Sequence, residues 1–140
     1  MRHARRQARE VALQALYAWQ LSGGDPLEEA RANESYEKSE FLEELLRGVR
    51  GAASELEGLI APHLDREFKR LSPVERAILY IGAYELAHHP RTPFKVVLNE
   101  AIELGKSFGG TDGHKFVNGV LEKLARELRP EEIARARQTA

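Results

Sequence analysis

The segment from Ser72 to His89, SPVERAILYIGAYELAHH, constrains the fold more than any other part of the chain. Its first residues carry the signals of a helix start: Ser72 can cap, Pro73 suits the first helical position, and Glu75 completes a capping box. The apolar residues that follow cover more than one face, and a helix of that kind usually lies at the centre of its fold. We therefore expect a central helix here.

The remaining sequence also follows helical periodicity, and no segment shows the two-residue alternation of a convincing strand. A first helix is predicted from about residue 3 to 21, followed by a short acidic helix after Pro26 and a long helix over about residues 39–60. Each of these predictions rests on apolar spacing bounded by Gly, Pro or Ser. The chain is therefore expected to be all-α.

Two further long helices are predicted after the central one. Thr92 is expected to cap the first, which Gly109 and Gly110 close, and Thr111 or Asp112 is expected to cap the second. The polar tail, about residues 130–140, is expected to fray. The sequence thus predicts about seven helices in a single domain that covers residues 1–140.

Composition excludes several classes of protein. The chain has 140 residues, of which 42% are hydrophobic, and this fits one compact domain. It has no cysteine, which excludes disulfides, thiolate zinc sites and a cysteine nucleophile. No apolar run approaches the roughly 20 residues of a membrane span. Since the histidines lack metal spacing and no phosphate loop or nucleophile elbow is present, we expect a cytoplasmic protein that is not an enzyme and has no cofactor or metal.

The net charge of -1 conceals an uneven distribution. Residues 1–9 contain no acid but four arginines, whereas residues 25–44 contain eight acids against Arg31 and Lys38. This asymmetry is compatible with a local anion-binding patch and argues against a uniformly basic coat. The four arginines are Arg2, Arg5, Arg6 and Arg9.

On a helical wheel these arginines fall within roughly a third of the circumference, and Trp19 points to the opposite side. Trp19 is therefore expected to anchor the helix in the core. Cations at a helix N-terminus oppose the helix dipole, so an anionic ligand is expected to neutralise them. The alternative is a solvated, charged helix end.

A second candidate site lies on the last long helix. Phe116 falls off the apolar stripe, close to Asp112 and Lys115. An aromatic ring beside lysines can stack a base, and Asp112 can accept a hydrogen bond from an exocyclic amine. The alternative is that Phe116 packs against a neighbouring helix.

Three segments in order resemble the NusB family of bacterial transcription antitermination factors. They are RRQAREVALQALYAWQL near the N-terminus, VERAILYIGAYEL in the middle and PFKVVLNEAIELGKSFGGTDGHKFVNGVLEKL near the C-terminus. The resemblance implies two small packed helical bundles and a role without catalysis. It also implies that the protein pairs with NusE, a small-subunit ribosomal protein, and binds the single-stranded boxA segment of nascent RNA, notably in ribosomal RNA operons.

The resemblance assigns residues to both partners. The family's arginine-rich RNA motif maps onto Arg5, Arg6 and Arg9, with Gln7 and Ala8 interrupting the run, and its further RNA contacts map onto Phe108, Asp112 and Phe116. The NusE-facing surface maps onto Tyr17 and Glu75. The complex is expected to act on RNA polymerase.

Two other functions stay open at this point. One is a helical RNA-binding module of the kind fused to ribosomal RNA cytosine methyltransferases, and the other is an adaptor that binds only protein. The sequence is compatible with a monomer or a homodimer, and a dimer could cover the arginines.

Overall fold

The computed structural model describes the backbone of residues 2–109 and 113–138 and the side chains of residues 4–109 and 114–138. Within those ranges the regular secondary structure is entirely helical. The eight α-helices are α1 (Arg2–Ser22), α2 (Pro26–Arg31), α3 (Glu40–Gly51), α4 (Ala53–Ile60), α5 (Pro73–His88), α6 (Phe94–Phe108), α7 (Gly113–Leu128) and α8 (Pro130–Gln138). Two 3-10 helices, Ala61–His63 and Phe68–Arg70, connect α4 to α5. The all-α prediction is confirmed, with eight helices in the described ranges where about seven were expected.

Helix α5 is the central element, as its sequence predicts. Ten consecutive residues, from Ala77 to Leu86, are buried. Helices α1 and α3 pack on α5 and on each other, and α6 and α7 pack on α5 and on each other as well. The fold therefore consists of two small bundles that share α5.

The start of α5 has the predicted capping box. The Ser72 hydroxyl accepts a hydrogen bond from the backbone N–H of Glu75 at 3.1 Å, and the Glu75 carboxylate accepts one from the backbone N–H of Ser72 at 3.1 Å. The side chains of Asp25 and Ser39 cap α2 and α3, each by accepting a hydrogen bond from a backbone N–H of the first turn. These local signals were readable because donor and acceptor lie within three residues of each other.

Three local predictions are wrong. The long helix over residues 39–60 is divided at Ala52, next to Gly51. Thr92 does not cap α6, because its hydroxyl is hydrogen-bonded to Nδ1 of His89, and the Glu132 carboxylate accepts from the backbone N–H of Phe94 instead. The expected caps Thr111 and Asp112 lie outside the described residues.

The third wrong prediction is the frayed tail, since α8 covers most of it. Its helix has Pro130 at the first position, and Ile133 packs against the core. The preceding residue, Arg129, is 9% exposed and donates hydrogen bonds to four backbone carbonyls. These belong to Glu85, Leu86, His89 and Thr92, at 2.9–3.2 Å. Arg129 thereby ties the start of α8 to the end of α5 and to the loop that leads into α6.

No helix in the described part of the chain is long and apolar enough to cross a membrane.

Candidate nucleic-acid interface

The N-terminal half of α1 places two arginines at the surface. The guanidinium of Arg5 lies 4.7 Å from the centre of the Phe41 ring, at cation–π distance, while the residue stays exposed. Arg6 donates two hydrogen bonds, of 2.8 and 3.2 Å, to the carboxylate of Glu100 on α6. The Arg6 side chain is still 43% exposed, so it can reach an additional anion.

Arg9 is buried, so the prediction that it forms one anion-binding patch with Arg5 and Arg6 at the surface is wrong. It is 3% exposed and donates two hydrogen bonds of 2.8 Å to Glu85 on α5. A longer contact of 3.5 Å joins it to Glu100. This side of α1 faces α5 and α6, so Arg9 joins the two bundles. The contact between Arg9 and RNA that the family resemblance implies stays a prediction.

Glu85 and Glu100 also change the argument about charge at the helix N-terminus. An external anion was expected to neutralise the arginines, but these two glutamates neutralise Arg6 and Arg9 from within the fold. The hydrogen bonding that Arg6 donates to the Glu100 carboxylate is the main reason that the pKa of Arg6 is raised above its ordinary value. Sequence reasoning missed both glutamates, because they lie 76 to 94 residues from their arginines. The side chain of Arg2 lies outside the described residues.

The facing ends of α6 and α7 position the aromatic candidates. A Cβ added to Gly105 would lie only 2.6 Å from Cβ of His114, so glycine allows the two helices to approach closely here. Phe108 and Phe116 are both partly buried and pack against the core. Lys115 is exposed beside Phe116, and Asp112 lies outside the described residues.

Arg66 covers part of Phe116, a contact that the sequence does not predict. Its guanidinium lies 5.0 Å from the centre of the Phe116 ring. Arg66 also donates hydrogen bonds of 2.8 and 3.3 Å to the neighbouring Asp65, and the 2.8 Å bond is the main reason that the pKa of Asp65 is lowered. The face of the Phe116 ring is therefore covered by the Arg66 guanidinium, whose positive charge Asp65 partly offsets.

The candidate protein-partner surface lies at the other end of α1. Tyr17 is 40% exposed and Leu21, one turn later, is 63% exposed. Gln20 donates a hydrogen bond of 3.0 Å to the carbonyl of Pro73, which brings this end of α1 to the start of α5, where Glu75 lies. Sequence reasoning missed Leu21, although its exposure next to Tyr17 makes an apolar patch. Trp19 is partly buried and packs on Tyr80, in agreement with its predicted anchoring role.

Three histidines pair with acids or with a polar neighbour, whereas Nδ1 of His114 is buried without a hydrogen-bond partner among the described residues. His63 contacts Glu127 and His88 contacts Glu55, each at 2.8 Å. No group of three or more potential metal ligands occurs among the described residues.

Comparison with known proteins identifies the family. The model of the NusB family matches residues 6–126. The chain belongs to the NusB family. A transcription antitermination protein NusB from Dechloromonas aromatica is 50% identical over 140 residues, covering 96% of this chain and 86% of that protein. Membership places the chain among transcription antitermination factors and not among enzymes.

Solved NusB structures share the fold. NusB of T. maritima matches with a TM-score of 0.83 and 31% identity, covering 93% of this chain and 96% of that one. A structure described as antitermination factors NusB and NusE in complex with dsRNA matches with a TM-score of 0.82 and 29% identity, covering 91% of this chain and 99% of that one. The NusB-like arrangement of two bundles is thus confirmed.

Proposed function

We propose that this protein binds single-stranded boxA RNA in nascent transcripts together with NusE, notably in ribosomal RNA operons. Bound in this way, the pair acts on RNA polymerase in the cytoplasm so that transcription continues through terminators. The likeness to the structure of NusB and NusE in complex with dsRNA, which extends over 91% of the chain, supports NusE and RNA as the partners. The aromatic candidates Phe108 and Phe116 support a single strand as the form of RNA. The separation of a basic surface from an apolar one, at opposite ends of α1, supports two different partners.

The RNA surface in this proposal consists of two parts. Arg5 and Arg6 contact phosphates at the N-terminal end of α1, and we include Arg2 because it belongs to the same basic segment of the sequence. Phe108 and Phe116 stack bases where α6 meets α7, with Lys115 beside Phe116, and Asp112 is included because the family resemblance assigns it to RNA. Arginines bind phosphates through paired donors, and aromatic rings stack bases of any identity.

Arg9 supports this surface from beneath. Its ion pair with Glu85 fixes α1 against α5, and its contact with Glu100 helps to place the carboxylate that holds Arg6. The NusE surface consists of Tyr17, Leu21 and Glu75. A homodimer that covered the α1 arginines would compete with RNA, so we propose the monomer as the RNA-binding form.

The small number of arginines at this surface favours weak binding of RNA in the absence of NusE. If two or three phosphates of a single strand are neutralised, the logarithm of the RNA association constant falls against the logarithm of the salt concentration with a slope of about -1.4 to -2. Between 50 and 200 mM salt this removes roughly 10-fold in affinity. A second protein with its own basic surface adds contacts and makes the RNA complex stable at higher salt.

Fluorescence anisotropy with a labelled boxA RNA tests the proposal, measured with and without purified NusE over a salt series. We expect NusE to strengthen binding and Phe116→Ala with Arg6→Ala to weaken it. A strand of the same length and scrambled sequence is the control. Binding to NusE without any salt-dependent RNA association would instead favour an adaptor that binds only protein.

A further inference from the structure

A cleft of about 310 Å³ separates the N-terminal half of α1 from the loop that joins α5 to α6. We call it the α1/α6 cleft. It has basic residues on both walls, because Arg5 and Arg6 come from α1 and Arg91 comes from the loop. The cleft is further lined by Pro93, Val96 and Asn99.

The positive charges in the cleft are only partly neutralised. Arg91 is exposed and makes no ion pair with any residue that the structure describes. The charge of Arg5 is likewise unpaired within the described ranges, since its guanidinium lies on the Phe41 ring. Glu100 forms ion pairs with Arg6 at this surface and with the buried Arg9, while the charges of Glu10 and Glu103 act on Arg6 from farther away. An excess of positive charge therefore faces the cleft from two separate elements.

The rest of the lining suits the other parts of a nucleotide. Val96 is 40% exposed, and together with Pro93 it gives the cleft an apolar wall beside the arginines. Asn99 is exposed, and its amide makes no hydrogen bond to the described residues. A free amide can both donate to and accept from the edge of a base.

The loop that carries Arg91 is held in place before any ligand binds. Arg129 donates to the carbonyls of His89 and Thr92, on either side of Arg91, at 3.2 and 3.1 Å. The hydroxyl of Thr92 is also hydrogen-bonded to the His89 ring at 2.6 Å. A fixed loop lowers the backbone entropy that is lost on binding, so the backbone of Arg91 is already in place when an anion binds.

We propose that the α1/α6 cleft binds one nucleotide of the RNA. Its phosphate lies between Arg5 and Arg91, its sugar and base lie against Val96 and Pro93, and Asn99 bonds to the base edge. This inference rests on the proposed function and adds Arg91 and Asn99 to its RNA contacts. The helix α6 starts at this cleft and ends at Phe108, and its length is ~21 Å. An RNA strand that contacts both the cleft and Phe108 therefore runs along α6.

Two substitutions test the cleft in the intact protein with NusE present and a labelled boxA RNA. Arg91→Ala should weaken binding by roughly 3- to 10-fold at low salt and make the salt slope shallower by about 0.7, the value for one phosphate of a single strand. Asn99→Ala should weaken binding by roughly 5-fold or more and leave the slope unchanged, because an amide releases no counterion.

Arg126→Ala is the matched control. Arg126 is an exposed arginine that lines a different groove, with Ile133 and Ala136, so its loss removes the same charge elsewhere. Circular dichroism and thermal unfolding should match the wild type for all three variants, since all three residues are exposed.

The outcomes separate this inference from the proposed function. If the wild type binds RNA with NusE but Arg91→Ala and Asn99→Ala both behave like Arg126→Ala, the cleft is not a nucleotide site and the proposed function stands. If the wild type shows no salt-dependent RNA binding with NusE, the proposed function fails and the inference fails with it.

Discussion

Replacing Arg9 with alanine should destabilise the protein by about 3–5 kcal/mol, the usual effect of removing one partner from a buried ion pair. Glu85 is 1% exposed, and in the wild type its two carboxylate oxygens each accept a hydrogen bond of 2.8 Å from Arg9. In the variant this carboxylate would be buried without its donors. It would then have to take up a proton or draw water into the space between α1 and α5.

Thermal unfolding, monitored by circular dichroism, measures this loss of stability. For a chain of this size, a loss of 3–5 kcal/mol lowers Tm by roughly 10–20 °C. The double substitution Arg9→Met with Glu85→Leu should recover most of the lost stability, because apolar residues of similar volume replace a buried pair without leaving a lone charge.

Arg5→Ala is the control, since Arg5 is exposed and should contribute at most about 1 kcal/mol through its contact with Phe41. A Tm of Arg9→Ala within a few degrees of this control would refute the reasoning. The double variant also separates two roles of Arg9. If Arg9 only supports the fold, the double variant keeps its affinity for RNA; a large loss of affinity in a stable double variant would show direct contact.

Three further substitutions test other parts of the structure. Arg129→Ala should reduce the free energy of unfolding by about 2–4 kcal/mol, because four backbone carbonyls lose their hydrogen-bond donor. Amide hydrogen exchange should become faster at the end of α5, and unchanged exchange there would contradict this prediction. Asp65→Ala removes the acid paired with Arg66 and should strengthen RNA binding by roughly 2- to 5-fold at low salt, an effect that anisotropy would detect and that should vanish at high salt. Burial, together with the hydrogen bond to Glu57, raises the pKa of Tyr80 in the folded protein. Above about pH 10 the tyrosine of the unfolded chain therefore loses a proton that the folded chain keeps. The free energy of unfolding consequently falls as pH rises. Tyr80→Phe should flatten that fall in alkaline denaturation, and a slope equal to that of the wild type would count against this explanation.

Features determined by neighbouring residues were predictable from the sequence. The start of α5 follows from Ser72, Pro73 and Glu75, which satisfy one another within a single turn. The central position of α5 follows from apolar residues on more than one face, since such a helix must be covered on several sides. Even α8 had readable signals, with Pro130 at its first position and acids in its first turn.

The positions of the arginines were not predictable in the same way. A helical wheel places Arg9 in the same sector as Arg5 and Arg6, but it contains no information about what packs against each side of the helix. Glu85 and Glu100 decide that question, and both come from helices distant in sequence. Likewise, Arg91 faces the α1 arginines only because the α5–α6 loop folds back toward α1.

The hydrogen bonds of Arg129 have a consequence for how this protein can be modified. The proposed RNA surface lies on α1, near the start of the sequence, yet the loop beside it is held by Arg129, eleven positions before Ala140. A truncation that removes residues 129–140 would therefore release the loop around Arg91, which lies beside α1 although α1 is distant in sequence from the removed residues. In this fold α1 and the junction between α7 and α8 are distant in sequence but shape the same surface.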